Sequence, residues 1–263
     1  MVANGDLMNI LAFFAHPDDE TMLCGGTLAL LAQSGAQVHY LSATRGEGGE
    51  VGEPPLTTHE QLGQVREKEM QCAVQALGGN SLTFLDYVDP RVGPNNELYV
   101  FTQDVGELAG QVANTIRRLS IDALISHGSN GEYGHPAHLL THKSACLAIE
   151  MLSRDGYTPL FYNASASFAE HPRPFLTNQD DPAHLVMNIR PVLDRKTQAA
   201  LCHRTQHALF VRRASEEAGR QLSVPEVIIK LEGIHRAHPP VVDVLNDSLA
   251  DILRHFEYKP PNE

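Results

Sequence analysis

The segment Met8–Ala15, MNILAFFA, is apolar at every position but Asn9, and it runs without a spacer into His16-Pro17-Asp18-Asp19-Glu20. An apolar run of that length without alternation is a strand buried on both faces, as in parallel α/β sheets. Gly25 to Ser34 is a small, apolar helical stretch with Gly35 as its stop, and QVHYLSA at 37–43 is a second strand. The first 45 residues thus form a β-α-β unit, whose crossover should be right-handed.

The same alternation continues. A polar, Gly-rich stretch from Thr44 to Pro55 reads as a surface loop that can act as a lid. Residues 59–77 are helical and stop at Gly78-Gly79; SLTFLDY is a strand, 103–118 a helix, and IDALISH a strand ending at His127. A glycine-bearing loop leads to Pro136, and His138 to Leu152 is helical. Beyond residue 157 the pattern loosens into aromatic and Pro-rich segments, the strand HLVMNI, a helix over 191–208 and a helical stretch over 242–256. The expectation is a single α/β domain over 1–263. It has a Rossmann-like, mostly parallel doubly wound sheet with helices on both faces in 1–155, and an appendage at 156–263 that completes the substrate pocket.

Composition narrows the function. The net charge of −12 lacks the basic footprint that nucleic acid or an anionic membrane surface demands, and favours a neutral or polyhydroxylated small molecule. The four cysteines, Cys24, Cys72, Cys146 and Cys202, are scattered without a Cys-x-x-Cys pair and read as buried reduced thiols. With no secretory pattern at the N-terminus and no apolar run long enough to span a bilayer, a cytoplasmic protein is expected.

Two polar clusters carry the chemistry. His16-Pro17-Asp18-Asp19-Glu20 stands at a strand's carboxyl end, where open α/β sheets bind ligands. His16 and Asp19, three apart, can converge, whereas adjacent Asp18 and Asp19 must diverge. One carboxylate can hold a metal and the other can act as general base. Glu20 reads as an acid complementing the helix dipole. The second cluster, Gly131-Glu132-Tyr133-Gly134-His135-Pro136-Ala137-His138, also follows a strand and repeats the three-residue histidine spacing. His16, Asp19, His135 and His138 are four candidate ligands, and spacing alone does not choose three. His127 ends its strand, and His142 is either a group behind the ligands or a helix-surface residue.

AHPDDE after the first strand, TRGE after the second and GEYGHPAH later resemble the PIG-L/LmbE-type zinc deacetylases over roughly the first half of the chain. A weaker echo is Lys196-x-x-Ala199-x-x-x-His203-x-x-Gln206. Members of that family remove acetyl groups from N-acetylglucosamine-containing molecules, and relatives cleave other amides. The resemblance implies His16, Asp19 and His138 as metal ligands, and Asp18 as the base that activates a metal-bound water and later protonates the leaving amine. It implies His135 as the oxyanion donor, Tyr133 as its mobile assistant, and Arg45 and Asp89 as contacts to sugar hydroxyls. Zinc is the implied cofactor, although Fe(II) suits a His₂Asp site. The implied partner is an N-acetylated sugar or glycoconjugate, and relatives often assemble as homo-oligomers, trimers or hexamers. Ala137 departs from the family's Gly-His-Pro-Asp-His, so any histidine oriented by that aspartate needs other support here. The competing expectations are an amidase of the same family cleaving a larger thiol conjugate, and a non-catalytic metal-containing sugar- or nucleotide-binding module. A metal phosphoesterase is disfavoured by the acidic balance.

Overall fold

Strand β1 (Asn9–Phe14) lies inside a seven-stranded sheet in the computed structural model, which describes residues 7–260. Its alternate residues explain its unbroken apolarity. Ile10, Ala12 and Phe14 enter the core on one face of the sheet; Leu11 and Phe13 enter the core on the other. Parallel partners flank it: β2 (Gln37–Thr44) on one side and β4 (Ala123–Ser126) on the other. With β3 (Ser81–Tyr87), β5 (Leu160–Asn163), β8 (Leu185–Asn188) and β9 (Leu231–His238), the order is β3-β2-β1-β4-β5-β9-β8. The first five are mutually parallel, and β9 and β8 join antiparallel. The two strands omitted from that order, β6 (Ala166–Ser167) and β7 (Asn178–Pro182), form a separate pair. Residue 155 is no break in the sheet, since β5 pairs directly with β4.

Helices cover both faces. One layer holds α3 (Val105–Arg118) packed on α5 (Pro136–Arg154); the other holds α1 (Asp19–Gln33) and α2 (His59–Leu77) with α6 (Leu193–Cys202) against both. A one-turn α4 (Gly131–Gly134) precedes α5. The chain ends with α7 (His207–Ala218), α8 (Val224–Val227) and α9 (Ser248–Leu253). Among the described residues no helix is long and apolar enough to cross a membrane.

Four expectations change. The first helix starts at Asp19, not near Gly25, so the acidic cluster occupies its first turn. The helix expected over 191–208 breaks at His203, whose side chain is buried against Glu20 at 3.0 Å; α7 begins afterwards. The expected 242–256 helix shrinks to α9 and one 3-10 turn. Two of the four thiols are not free. Cys72 on α2 and Cys202 at the end of α6 form a disulfide across the α2–α6 contact, while Cys24 and Cys146 remain thiols. Spacing gave no hint of that pair, because 130 residues separate its members.

Helix α1 is broken at Cys24, where φ is −150°. A regular helix would bond the Gly26 N–H to the Met22 carbonyl. Instead, Gly26 N donates to Glu232 Oε1 at 2.9 Å, and Lys196 Nζ donates to the Met22 oxygen at 3.2 Å. Lys196 and Glu232 bond to each other at 2.6 Å, so a buried ion pair splices the gap. Gly26 is required there, since a Cβ would lie 2.6 Å from the Ile189 side chain.

Candidate active site

The sheet's strand order reverses between β1 and β4, the switch point at which α/β folds open a crevice at their carboxyl ends. Both sequence clusters emerge there, His16 to Glu20 after β1 and Gly131 to His138 after β4. They meet on the floor of a cavity of about 790 Å³, lined among others by His16, Asp18, Asp19, Asp89, Tyr133, His135 and His138.

Asp19 is the hub. Its Oδ2 accepts the His16 N–H at 2.9 Å and lies 3.3 Å from His16 Nδ1; its Oδ1 lies 3.3 Å from His138 Nε2. Each ring turns its other nitrogen to a second carboxylate. His16 Nε2 is 3.2 Å from Asp89 Oδ1, and His138 Nδ1 is 2.7 Å from Glu132 Oε2. A neutral imidazole carries one proton. If that proton serves Asp89 or Glu132, the nitrogens facing Asp19 are bare, and acceptor faces acceptor at both contacts. The arrangement therefore requires positive charge between the rings and Asp19. In protons, that demand pushes His16 up to about 10, Asp89 and Asp19 outweighing burial. It pushes His138 up to about 9 by the same contest with Asp19 and Glu132. Burial resists ionisation of Asp19, yet His138 and His127 hold it well below the usual carboxylate range. A divalent cation meets the demand equally, and one donor atom from each of His16, Asp19 and His138 lies within 4.8 Å of the others. Two imidazoles and a carboxylate suit zinc.

Asp18 is held apart from this group. It adopts φ 105°, a left-handed conformation that costs a non-glycine residue energy and that clusters at functional sites. Its side chain does not cap α1. Its Oδ2 instead receives Arg66 Nη2 at 3.2 Å, and the same guanidinium bonds the Pro17 and Gly46 carbonyls. Burial pushes the Asp18 carboxyl up to about 6, against Arg66 and with help from Asp19. That is the range of a carboxylate able to take and return a proton near neutrality.

His135 caps α5, its Nδ1 accepting the Ala137 N–H at 3.2 Å. The ring's proton is thereby assigned to Nε2. Burial and the neighbouring His138 and His16 push His135 down to about 3, so it stays neutral. The departure at Ala137 is thus met by a backbone amide, with Ala137 itself fully buried. Tyr133 is 56% exposed, its ring edge-on to His135 and His138 at 5.8 and 5.6 Å between centroids.

The structure brings together His16, Asp18, Asp19, Asp89, Tyr133, His135 and His138, and leaves Arg45 outside. The Arg45 guanidinium is bonded to Glu67 at 2.8 Å and lies 5.1 Å over the Phe84 ring, away from the cavity. The arginines that line the cavity are Arg66 and Arg91, and of these Arg66 contacts Asp18. Glu20 does lie in the first turn of α1, but it has further partners. It is fully buried, accepting the Asp18 N–H, the Thr21 hydroxyl and His203. The glycine loop is only partly a surface feature: Gly46 and Gly48 are buried, one against Arg66 and the other against Pro90. Residues 157–190 do not line the cavity; its outer walls come from 48–59, 89–99, Gln206 and Leu209. His127 does more than end β4: its Nε2 accepts the Ala15 N–H at 3.1 Å and its Nδ1 meets Glu132 at 3.0 Å. His142 bonds the His127 carbonyl at 3.0 Å.

Arg66, Glu132 and Glu232 were missed from the sequence. A signal existed for Arg66, which shares the buried face of α2 with Leu62, Met70, Ala73 and Leu77; a charge at a core position calls for a partner. Glu132 sits in the motif, but nothing local marks it as inward-facing.

A family model described as PIG-L, GlcNAc-PI de-N-acetylase, matches residues 11–149. The 1D-myo-inositol 2-acetamido-2-deoxy-alpha-D-glucopyranoside deacetylase of Rhodococcus erythropolis is 30% identical over 237 residues, 75% of this chain and 80% of that protein. Its counterpart in Geodermatophilus obscurus is 34% identical over 163 residues, 57% of this chain and 55% of that protein. The chain thus spans about half the length of some curated relatives it matches. Of solved structures, N,N'-diacetylchitobiose deacetylase from Pyrococcus horikoshii has a TM-score of 0.56 at 17% identity, covering 88% of this chain and 84% of that one. The 4-carboxy-2-hydroxymuconate hydratase of Pseudomonas putida has a TM-score of 0.60 at 21% identity, covering 91% and 100%. At those identities the structural likeness shows a shared fold, and it spans more than one chemistry.

Proposed function

The chain belongs to the PIG-L family, and from that membership we propose that it is a zinc-dependent hydrolase removing the N-acetyl group of an N-acetylglucosamine-like sugar or glycoconjugate. The observation that carries the proposal is the division of labour in the first cluster. His16 and Asp19 join His138 in a group that demands a cation, while Asp18 stands beside it as an uncapped carboxylate braced by Arg66. A binding module would have no use for a base so placed.

A zinc ion held by His16, Asp19 and His138 would polarise the amide carbonyl and acidify water. Asp18 takes the proton of the attacking water and then delivers it to the departing amine. His135, neutral and protonated on Nε2, donates to the oxygen that becomes negative as the carbonyl turns tetrahedral, with Tyr133 able to swing in from the mouth of the cavity. Arg66 keeps Asp18 aimed. Asp89 lines the cavity and also faces His16, so a sugar hydroxyl reaching it would be sensed at the ligand. Glu50 at the wall is paired by Arg212 at 2.7 and 2.9 Å.

The test is acetate release from N-acetylglucosaminyl glycosides by the parent and by Asp18→Asn. The variant should keep its zinc and lose about 10²- to 10⁴-fold in kcat. Undiminished turnover by Asp18→Asn contradicts the proposal, and release of an acid larger than acetate from a thiol conjugate moves it to the amidase alternative.

A further inference from the structure

We infer that Glu132 is a positioning residue that selects the ring tautomers of His138 and His127, and through them sets zinc affinity; the inference rests on the metal reading above. Glu132 does not line the cavity, and its side chain is fully buried, so it cannot touch substrate. Two imidazole nitrogens and two N–H donors surround it. Oε2 meets His138 Nδ1 at 2.7 Å and His127 Nδ1 at 3.0 Å; Oε1 accepts the Gly128 N–H at 3.3 Å and Asn178 Nδ2 at 3.1 Å. An ionised carboxylate, accepting on both oxygens, satisfies that cage when both imidazoles carry their protons on Nδ1.

The consequence for each ring is specific. His127 Nε2 lies 3.4 Å from Asp19 Oδ2 and accepts the Ala15 N–H at 3.1 Å; with that nitrogen accepting, the ring's proton sits on Nδ1, pointing at Glu132. Ala15 directly precedes His16, so this chain of bonds ties the end of β1 to the end of β4 beneath the ligands. His138 places its Nδ1 proton on the same oxygen, which turns the Nε2 lone pair toward Asp19 Oδ1. Carboxylates behind metal-bound histidines fix ring orientation and raise ligand basicity in this way.

Two further features show that the carboxylate is held there against resistance. The Glu132 backbone has φ 59° and ψ −77°, a conformation that is costly for a residue with a side chain. Asn178, from β7, locks it. Its Oδ1 accepts the Glu132 and Asn130 N–H groups while its Nδ2 donates to the carboxylate. The late part of the chain, which adds no wall from 157–190, thus reaches the site through Asn178.

The experiment compares Zn²⁺ affinity of the full-length parent and Glu132→Gln by competition with a chromophoric chelator, alongside the urea midpoint of each zinc-free protein. Glutamine sets an N–H₂ group against donors, and the dissociation constant should rise by about 10- to 100-fold. Equal affinities, with only the urea midpoint lowered, would overturn the inference and leave Glu132 structural. If Glu132→Gln does not fold, ¹⁵N-histidine NMR of the zinc-loaded parent decides. Protons on Nδ1 of both His138 and His127 support the inference, and a proton on Nε2 of either overturns it. A parent that binds no zinc overturns the metal reading and this inference with it, whereas a parent that binds zinc as tightly as Glu132→Gln overturns this inference alone.

Discussion

Replacing Lys196 by Met should be among the most destabilising single changes in the molecule, although Lys196 lies outside the cavity. Lys196 and Glu232 are 0% and 1% exposed and bond at 2.6 Å. Methionine keeps most of the buried stem and removes the ammonium. Glu232 then retains three donors, Gly26 N at 2.9 Å, Thr27 N at 2.6 Å and the Thr27 hydroxyl at 2.7 Å, but no countercharge. The Met22 carbonyl at the helix break loses its donor as well. Breaking a buried pair from one side costs about 3–5 kcal/mol. For a chain of this size that is roughly 6–20 °C in Tm. Differential scanning calorimetry and urea melts of Lys196→Met, Glu232→Gln and the double variant measure it. The double variant should be more stable than Lys196→Met alone, because the uncompensated charge is gone. A loss below about 1 kcal/mol in Lys196→Met, or strict additivity in the double variant, would refute the splice.

Other outcomes follow from the same structure. Gly26→Ala should destabilise by about 1–3 kcal/mol through overpacking against Ile189 and Glu232, measured by urea melt. His203 is buried, and Glu20, outweighing burial, raises its pKa. A raised folded pKa gives stability that is complete below the unfolded value near 6.5 and is lost as pH rises through the folded value. The Tm gap between the parent and His203→Gln should therefore narrow as pH climbs above 6.5, and a widening gap would contradict the Glu20 pairing. Thiol titration of the denatured, unreduced protein should find two reactive cysteines, Cys24 and Cys146, and four after reduction. Arg45→Ala should leave kcat/KM near the parent value while Arg66→Ala lowers kcat, because only Arg66 contacts Asp18.

The sequence made the fold legible where one physical signal dominated. The unbroken apolarity of Ile10 to Ala15 marked a strand packed on both faces, and the helix–strand alternation to residue 154 marked the parallel sheet. The two clusters were legible because a strand's carboxyl end is a place rather than a contact, and both sit at one. Contacts between distant residues were not legible. Cys72–Cys202, Lys196–Glu232, Asn178–Glu132 and Glu20–His203 join positions 36 to 183 residues apart, and no local pattern encodes such a meeting. Arg45 stands in the motif, but its guanidinium is bonded to Glu67, the residue that follows Arg66 on α2, a contact no local pattern encodes. The helix break at His203 was hidden by good helix formers on either side.

The most direct test of the central claim is acetate release from an N-acetylglucosaminyl glycoside, followed in the zinc-loaded protein, after stripping with a chelator, and after returning one equivalent of zinc. Release that disappears on stripping and returns with zinc is the predicted result. Release that persists in stripped protein, or no acetate from the zinc-loaded protein, would contradict the assignment of His16, Asp19 and His138 as the seat of a deacetylase.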